Sequence, residues 1–181
     1  MQTPTFTIEQ MRFPLGRFEV PTAYSLEMVH ESLAEIAALP TQLAAAVADL
    51  DQAQLDTPYR PGGWTIRQVV HHLPDSHMNS YIRFRLALTE EKPVVRPYDE
   101  LMWAQLPDAK EADPAVSVQL LAALHQRWGL LLQSLASAQW HRTFVHPEGG
   151  NIFLFQAAAQ YAWHGKHHLA HITFLKERMG W

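Results

Sequence analysis

Four stretches of this chain carry apolar residues at alternating spacings of three and four. That pattern restricts its fold more than any other feature. In the first stretch they are Leu26, Val29, Leu33, Ile36, Pro40, Leu43, Val47 and Leu50, the mark of a helix with one buried stripe. Pro40 lacks an N–H, so the spacing predicts a kink there, or two helices in register with Pro40 near the second start. A second helix is expected from Thr65, a good N-cap, with the stripe Ile66, Val70, Leu73, His77, Tyr81, Phe84 and Leu88, bent at Pro74. Asp113-Pro114 opens a third, on Leu120, Leu124, Trp128, Leu131 and Leu135. The fourth runs from about Phe155 to Arg178. Each stripe must be buried against another element, which predicts an all-α four-helix bundle.

The connections fit that architecture. Residues 1–23, with Pro4, Pro14, Gly16 and Pro21, read as an irregular arm, and residues 24–181 as a single bundle domain. The segment 56–63 is a loop dense in turn formers, and 91–113 holds Pro93, Pro97 and Pro107, as a long crossover would. Residues 142–154 suggest a small hairpin around Glu148-Gly-Gly-Asn151, just before the last helix. A chain of 181 residues can bury a core without disulfides, and this one has no cysteine. Thiolate nucleophiles and Cys-type zinc sites are therefore excluded. The net charge of −4 with scattered basic residues gives no footprint for nucleic acid. With neither a signal-peptide pattern nor a membrane-length apolar run, a cytoplasmic location is expected.

Function is concentrated in the segment Tyr161-Ala-Trp-His-Gly-Lys-His-His-Leu-Ala-His171. His164/His168 and His167/His171 are both i,i+4 pairs, and residues four apart share a helix face. The inward stripe reads Ala157, Tyr161, His164, His168, Ile172, Leu175, so His164 and His168 interrupt an apolar face. Adjacent imidazoles in a core are costly unless paired or metallated. Imidazole suits zinc, copper, iron and nickel. His167 is expected at the edge of that stripe, where a solvated histidine face is the simpler account, with His171 beside it. His30, His125, His141 and His146 read as isolated surface or core residues. A third ligand would come from His71, His72 or His77 on the second helix. Periodicity favours His77, which lies on the stripe, although the Pro74 bend could re-aim His72.

The run Asp56-Thr-Pro-Tyr-Arg-Pro-Gly-Gly-Trp-Thr-Ile-Arg-Gln-Val-Val-His-His-Leu73, followed by Asp75-Ser-His-Met-Asn-Ser-Tyr-Ile-Arg-Phe84, resembles the YfiT branch of the DinB-like superfamily. Arg96-Pro-Tyr-Asp-Glu100, Trp163-His164, His167-His168 and Met179-Gly-Trp181 extend the resemblance over about residues 55–181. The resemblance implies a four-helix bundle, one divalent ion per chain (nickel or zinc) and a homodimer. It also implies the ligands His72, His164 and His168, which moves His77 from ligand to a supporting position. Gly165 departs from a good helix former and weakens the last helix slightly.

Three neutral imidazoles leave a divalent ion its full charge and an open position. Such a site can make a nucleophile of water or of a thiol. The YfiT-like branch is described in terms of metal-dependent hydrolysis and relatives act as bacillithiol S-transferases, so the resemblance implies a small-molecule enzyme of one of these kinds. Transfer of a low-molecular-weight thiol onto an electrophile is the expected reaction, with metal-dependent hydrolysis as the alternative. From other classes come a non-enzymatic metal-binding stress protein and an interaction module with a solvated histidine face. Asp75, three residues after His72, is the candidate for a catalytic or supporting carboxylate, and Tyr161 for a pocket wall. Arg83, Arg85 and Arg96 are candidates for binding an anionic thiol.

Overall fold

The computed structural model of the chain describes residues 6–181. Its helices are α1 (Ile8–Arg12), α2 (Leu26–Val47), α3 (Gln52–Leu55), α4 (Ile66–Thr89), α5 (Glu100–Trp103), α6 (Pro107–Glu111), α7 (Pro114–Gln133) and α8 (Leu154–Met179), with a hairpin β1 (Thr143–His146) and β2 (Gly150–Phe153) before α8. The four long helices begin where local chemistry favours it, except α8, which has no side-chain cap bond. Ser25, Thr65 and Asp113 cap α2, α4 and α7 through their side-chain oxygens, and Pro114 fills the first turn of α7. At the far end of α8 Gly180 takes φ 72°, the left-handed conformation that closes a helix at little cost for glycine.

The four long helices form the expected bundle, and each packs on two others. α2 lies against α7 and α8, and α4 against the same two. Helices successive in the chain, α2 with α4 and α7 with α8, therefore face each other across the diagonals. The hairpin pairs in antiparallel register, Val145 opposite Asn151, and Val94 of the crossover bridges to Val145 on its outer edge. Among the described residues no helix is long and apolar enough to cross a membrane.

Several sequence expectations need correction. Of the two alternatives at Pro40, a second helix start is excluded, because α2 runs as one helix through it. The buried stripe of α7 is Leu121, His125, Trp128 and Leu132, one residue out of phase at Leu120, which is exposed. Leucines at 120, 121, 124, 130, 131 and 132 cover most of that helix's circumference, so spacing alone does not fix its inward face. The N-terminal arm contains α1, set by a capping box between Thr7 and Gln10. The crossover is also partly helical, through α5 and α6.

Two apolar clusters fill the bundle. One holds Val29, Ile36, Phe84, Trp128, Leu132 and Phe155, and the other Leu39, Leu43, Ile66, Leu73, Leu121 and Ile172. Along every long helix a break between them falls at the same level. Ile36 and Leu39 flank it on α2, Leu73 and Phe84 on α4, Leu121 and Trp128 on α7, Ala162 and Leu169 on α8. His77, His125, His164 and His168 lie in that break. The histidines form a polar layer between two oily ones.

Candidate metal centre

His72 on α4, just outside this layer, meets His164 and His168 on α8, with one ring nitrogen from each lying within 4.8 Å of the other two. His72 Nε2 and His164 Nε2 are 3.2 Å apart. Two nitrogens sharing a tetrahedral ion at about 2.0–2.1 Å stand roughly 3.3 Å apart, so the spacing already suits a common ligand. His72 and His168 are buried, and Trp64 packs against both, with ring centroids 4.7 and 6.2 Å away. Burial lowers the pKa of His72 to about 4 and holds His164 and His168 well below the usual imidazole value. Neutral imidazoles with free lone pairs are the form a metal needs. The residues therefore fit a divalent ion.

His77 lies deeper on α4. Its Nε2 is 3.3 Å from His164 Nδ1, and its Nδ1 is 2.9 Å from His125 Nε2 on α7. It stands behind a ligand candidate and is not one of the converging three. Periodicity favours it because it is wholly buried, but it is buried among other histidines. His71 points away, to Ser117 and the Ala112 carbonyl, tying α4 to α7 and its leading loop.

The expectation of a solvated histidine face at His167 is overturned, and His171 beside it is no more exposed. Both are buried, His167 stacked on Trp163 with Phe13 nearby, and His171 stacked on Tyr59 with its Nε2 donating to the Arg12 carbonyl. Their cover comes from the arm and from the loop before α4, segments that helical periodicity does not register.

A cavity of about 920 Å³ opens over the three histidines towards the hairpin and the crossover. Trp64, Phe144 and Tyr161 give it apolar wall, and Arg83, Glu100 and Glu148 bring charge. Of the three arginines considered, Arg83 lines this space; Arg85 and Arg96 are exposed, and Arg85 turns to the Tyr81 hydroxyl. Tyr98, to which sequence reasoning assigns no individual role, also lines it, its hydroxyl buried beside Ser76 and its pKa raised by burial. Asp75 is absent from the lining. Its side chain is half-buried and its pKa rises to about 6, through desolvation and the nearby Asp108. No hydrogen bond joins Asp75, or any other carboxylate among the described residues, to the three histidines.

Residues 35–172 match the family model of the DinB superfamily. A protein of Bacillus mycoides named "Putative metal-dependent hydrolase" is 53% identical over 174 residues, 96% of this chain and 100% of that protein. A Bacillus cereus protein of the same name is 52% identical with the same coverage. Among solved structures, YfiT from Bacillus subtilis, described as a probable metal-dependent hydrolase with an unusual four-helix bundle topology, superposes with a TM-score of 0.93. It is 50% identical, over 95% of this chain and 99% of that one. TT2238, a four-helix bundle protein, shares the fold at 22% identity and a TM-score of 0.56, over 81% of this chain and 98% of that one. The chain belongs to the DinB superfamily, in its YfiT-like branch.

Proposed function

We propose that the chain is a divalent-metal enzyme, its ion held by His72, His164 and His168, that transfers a low-molecular-weight thiol onto a small electrophile. The observation that carries this is the composition of the site: three buried or half-buried, neutral imidazoles with no carboxylate bonded to them, at the floor of a cavity of about 920 Å³. Nickel and zinc both suit such a donor set. When bound, the ion supplies Lewis acidity that favours the deprotonated form of an acidic ligand at neutral pH.

The protein's own residues supply the rest. A site whose three histidines carry no carboxylate partner suits a thiol, whose single proton leaves near pH 8.5 even in water, better than it suits water itself. The cavity is large enough to hold two reactants together, which is where most of the rate advantage of such a reaction lies. Arg83 offers a guanidinium to an anionic group on the thiol. Tyr98 stays protonated and forms part of the cavity wall, and an epoxide is one electrophile that the reaction would open. There the S–C bond forms, the C–O bond breaks, and the freed oxygen takes a proton.

Hydrolysis is the second reading, favoured by the names of the relatives in Bacillus mycoides and Bacillus cereus. The two separate in one assay. Metal-loaded and metal-free protein are offered epoxides, alkyl halides and esters, with and without a small thiol. Turnover that needs both metal and thiol supports transfer. Turnover of esters with metal and water alone supports hydrolysis. Equal rates with and without metal would leave a non-enzymatic metal-binding protein.

A further inference from the structure

His164 is the end of a row of hydrogen bonds that begins on the backbone of α2. Pro40 has no N–H, so the Ile36 carbonyl four residues earlier loses its helical partner. His125 Nδ1 sits 2.6 Å from that carbonyl. His125 Nε2 is 2.9 Å from His77 Nδ1, and His77 Nε2 is 3.3 Å from His164 Nδ1. The row therefore touches all four long helices: Ile36 on α2, His125 on α7, His77 on α4, His164 on α8.

We infer that His77 and His125 are positioning residues that fix the tautomer of His164, so that its Nε2 presents a bare lone pair to the metal. The inference rests on the metal-site reading above, which it deepens. A carbonyl oxygen only accepts, so the proton of His125 lies on Nδ1 and its Nε2 accepts in turn. His77 must then donate from Nδ1 and accept at Nε2, and His164 must donate from Nδ1. Three neutral rings carry three protons, and three contacts use all of them. None is left for His164 Nε2, the atom 3.2 Å from His72 Nε2. Burial, which lowers the basicity of all three rings, agrees with the neutral count.

The row has a fixed direction and a dead end. Because the Ile36 carbonyl takes up no proton, the row does not conduct protons to solvent. It orients a ligand and raises that ligand's basicity, as partners behind metal-bound histidines do. Pro40 thus acquires a role that its place in a helix otherwise obscures: it frees the acceptor on which the polarity is anchored.

The test uses the untagged full-length chain. The ring-proton positions of His164 are read by ¹⁵N NMR of the metal-free protein, and zinc affinity by competition with a chelator. The wild-type chain should carry the His164 proton on Nδ1. His77→Leu should lose that preference and bind zinc about 10–100-fold more weakly, the usual cost of removing such a partner. His77→Gln should restore both, because its amide can accept from His164 and donate to His125. A His164 proton on Nε2 in the wild-type chain would overturn the inference whether or not the variants fold. So would a folded His77→Leu with wild-type zinc affinity, or a folded His77→Gln as weak as His77→Leu. If the wild-type chain takes up no zinc, the metal reading fails, and the tautomer measurement still decides the fate of the row.

Discussion

Gly165 stands where a Cβ would lie 2.5 Å from Leu39 Cδ2. Leu39 is buried in an apolar cluster, so its side chain would have to shift within packed surroundings to admit that carbon. The glycine between the ligand candidates His164 and His168 therefore lets α8 approach α2 closely, and helix propensity is sacrificed for contact.

Gly165→Ala should accordingly destabilise the protein by about 1–3 kcal/mol through overpacking, despite a helix-propensity gain of about 1 kcal/mol. Urea unfolding measures this. A more stable Gly165→Ala variant would show that the approach of the two helices is looser than described.

His167→Ala should remove a ring packed between Trp163 and Phe13 and cost about 2–4 kcal/mol, as loss of a buried ring does. Its bound-metal stoichiometry should stay that of the wild type, because His167 is not among the converging three. Metal analysis beside a denaturation curve separates the two effects. Loss of the ion with unchanged stability would reverse the assignment.

Acid should destabilise the fold in a window set by the buried histidines. In the unfolded chain His125 titrates near 6.5, whereas burial lowers it to about 4 in the fold. Between those values the unfolded state binds the extra proton. The contribution of His125 is thus complete above pH 6.5 and fades as pH falls towards 4, by up to about 3 kcal/mol. Metal-free protein unfolded in urea at pH 7 and pH 4.5 should show this slope, and His125→Gln should flatten it. An unchanged slope in the variant would place the titration elsewhere.

Much of this was legible in the sequence. The caps at Thr65 and Asp113, the hairpin around Glu148-Gly-Gly-Asn151 and the inward phase of His164 and His168 follow from local rules. The choice of His72 over His77 did not follow from periodicity, which records that a residue is buried and not what it meets. The same blindness hid His125: its partners lie on α2 and α4, far away in sequence. The burial of His167 and His171 depends on the arm laid along α8, and that of Tyr98 on the crossover. No helical stripe encodes either.

The central claim is that His72, His164 and His168 together hold one divalent ion. It is tested most directly by metal analysis of the chain purified without an affinity tag, alongside His72→Ala, His164→Ala, His168→Ala and His77→Ala. The account predicts about one ion per chain in the wild type, none tightly held in the first three variants, and an ion retained with weaker affinity in His77→Ala. Loss of the ion from His77→Ala together with its retention in His72→Ala would contradict it.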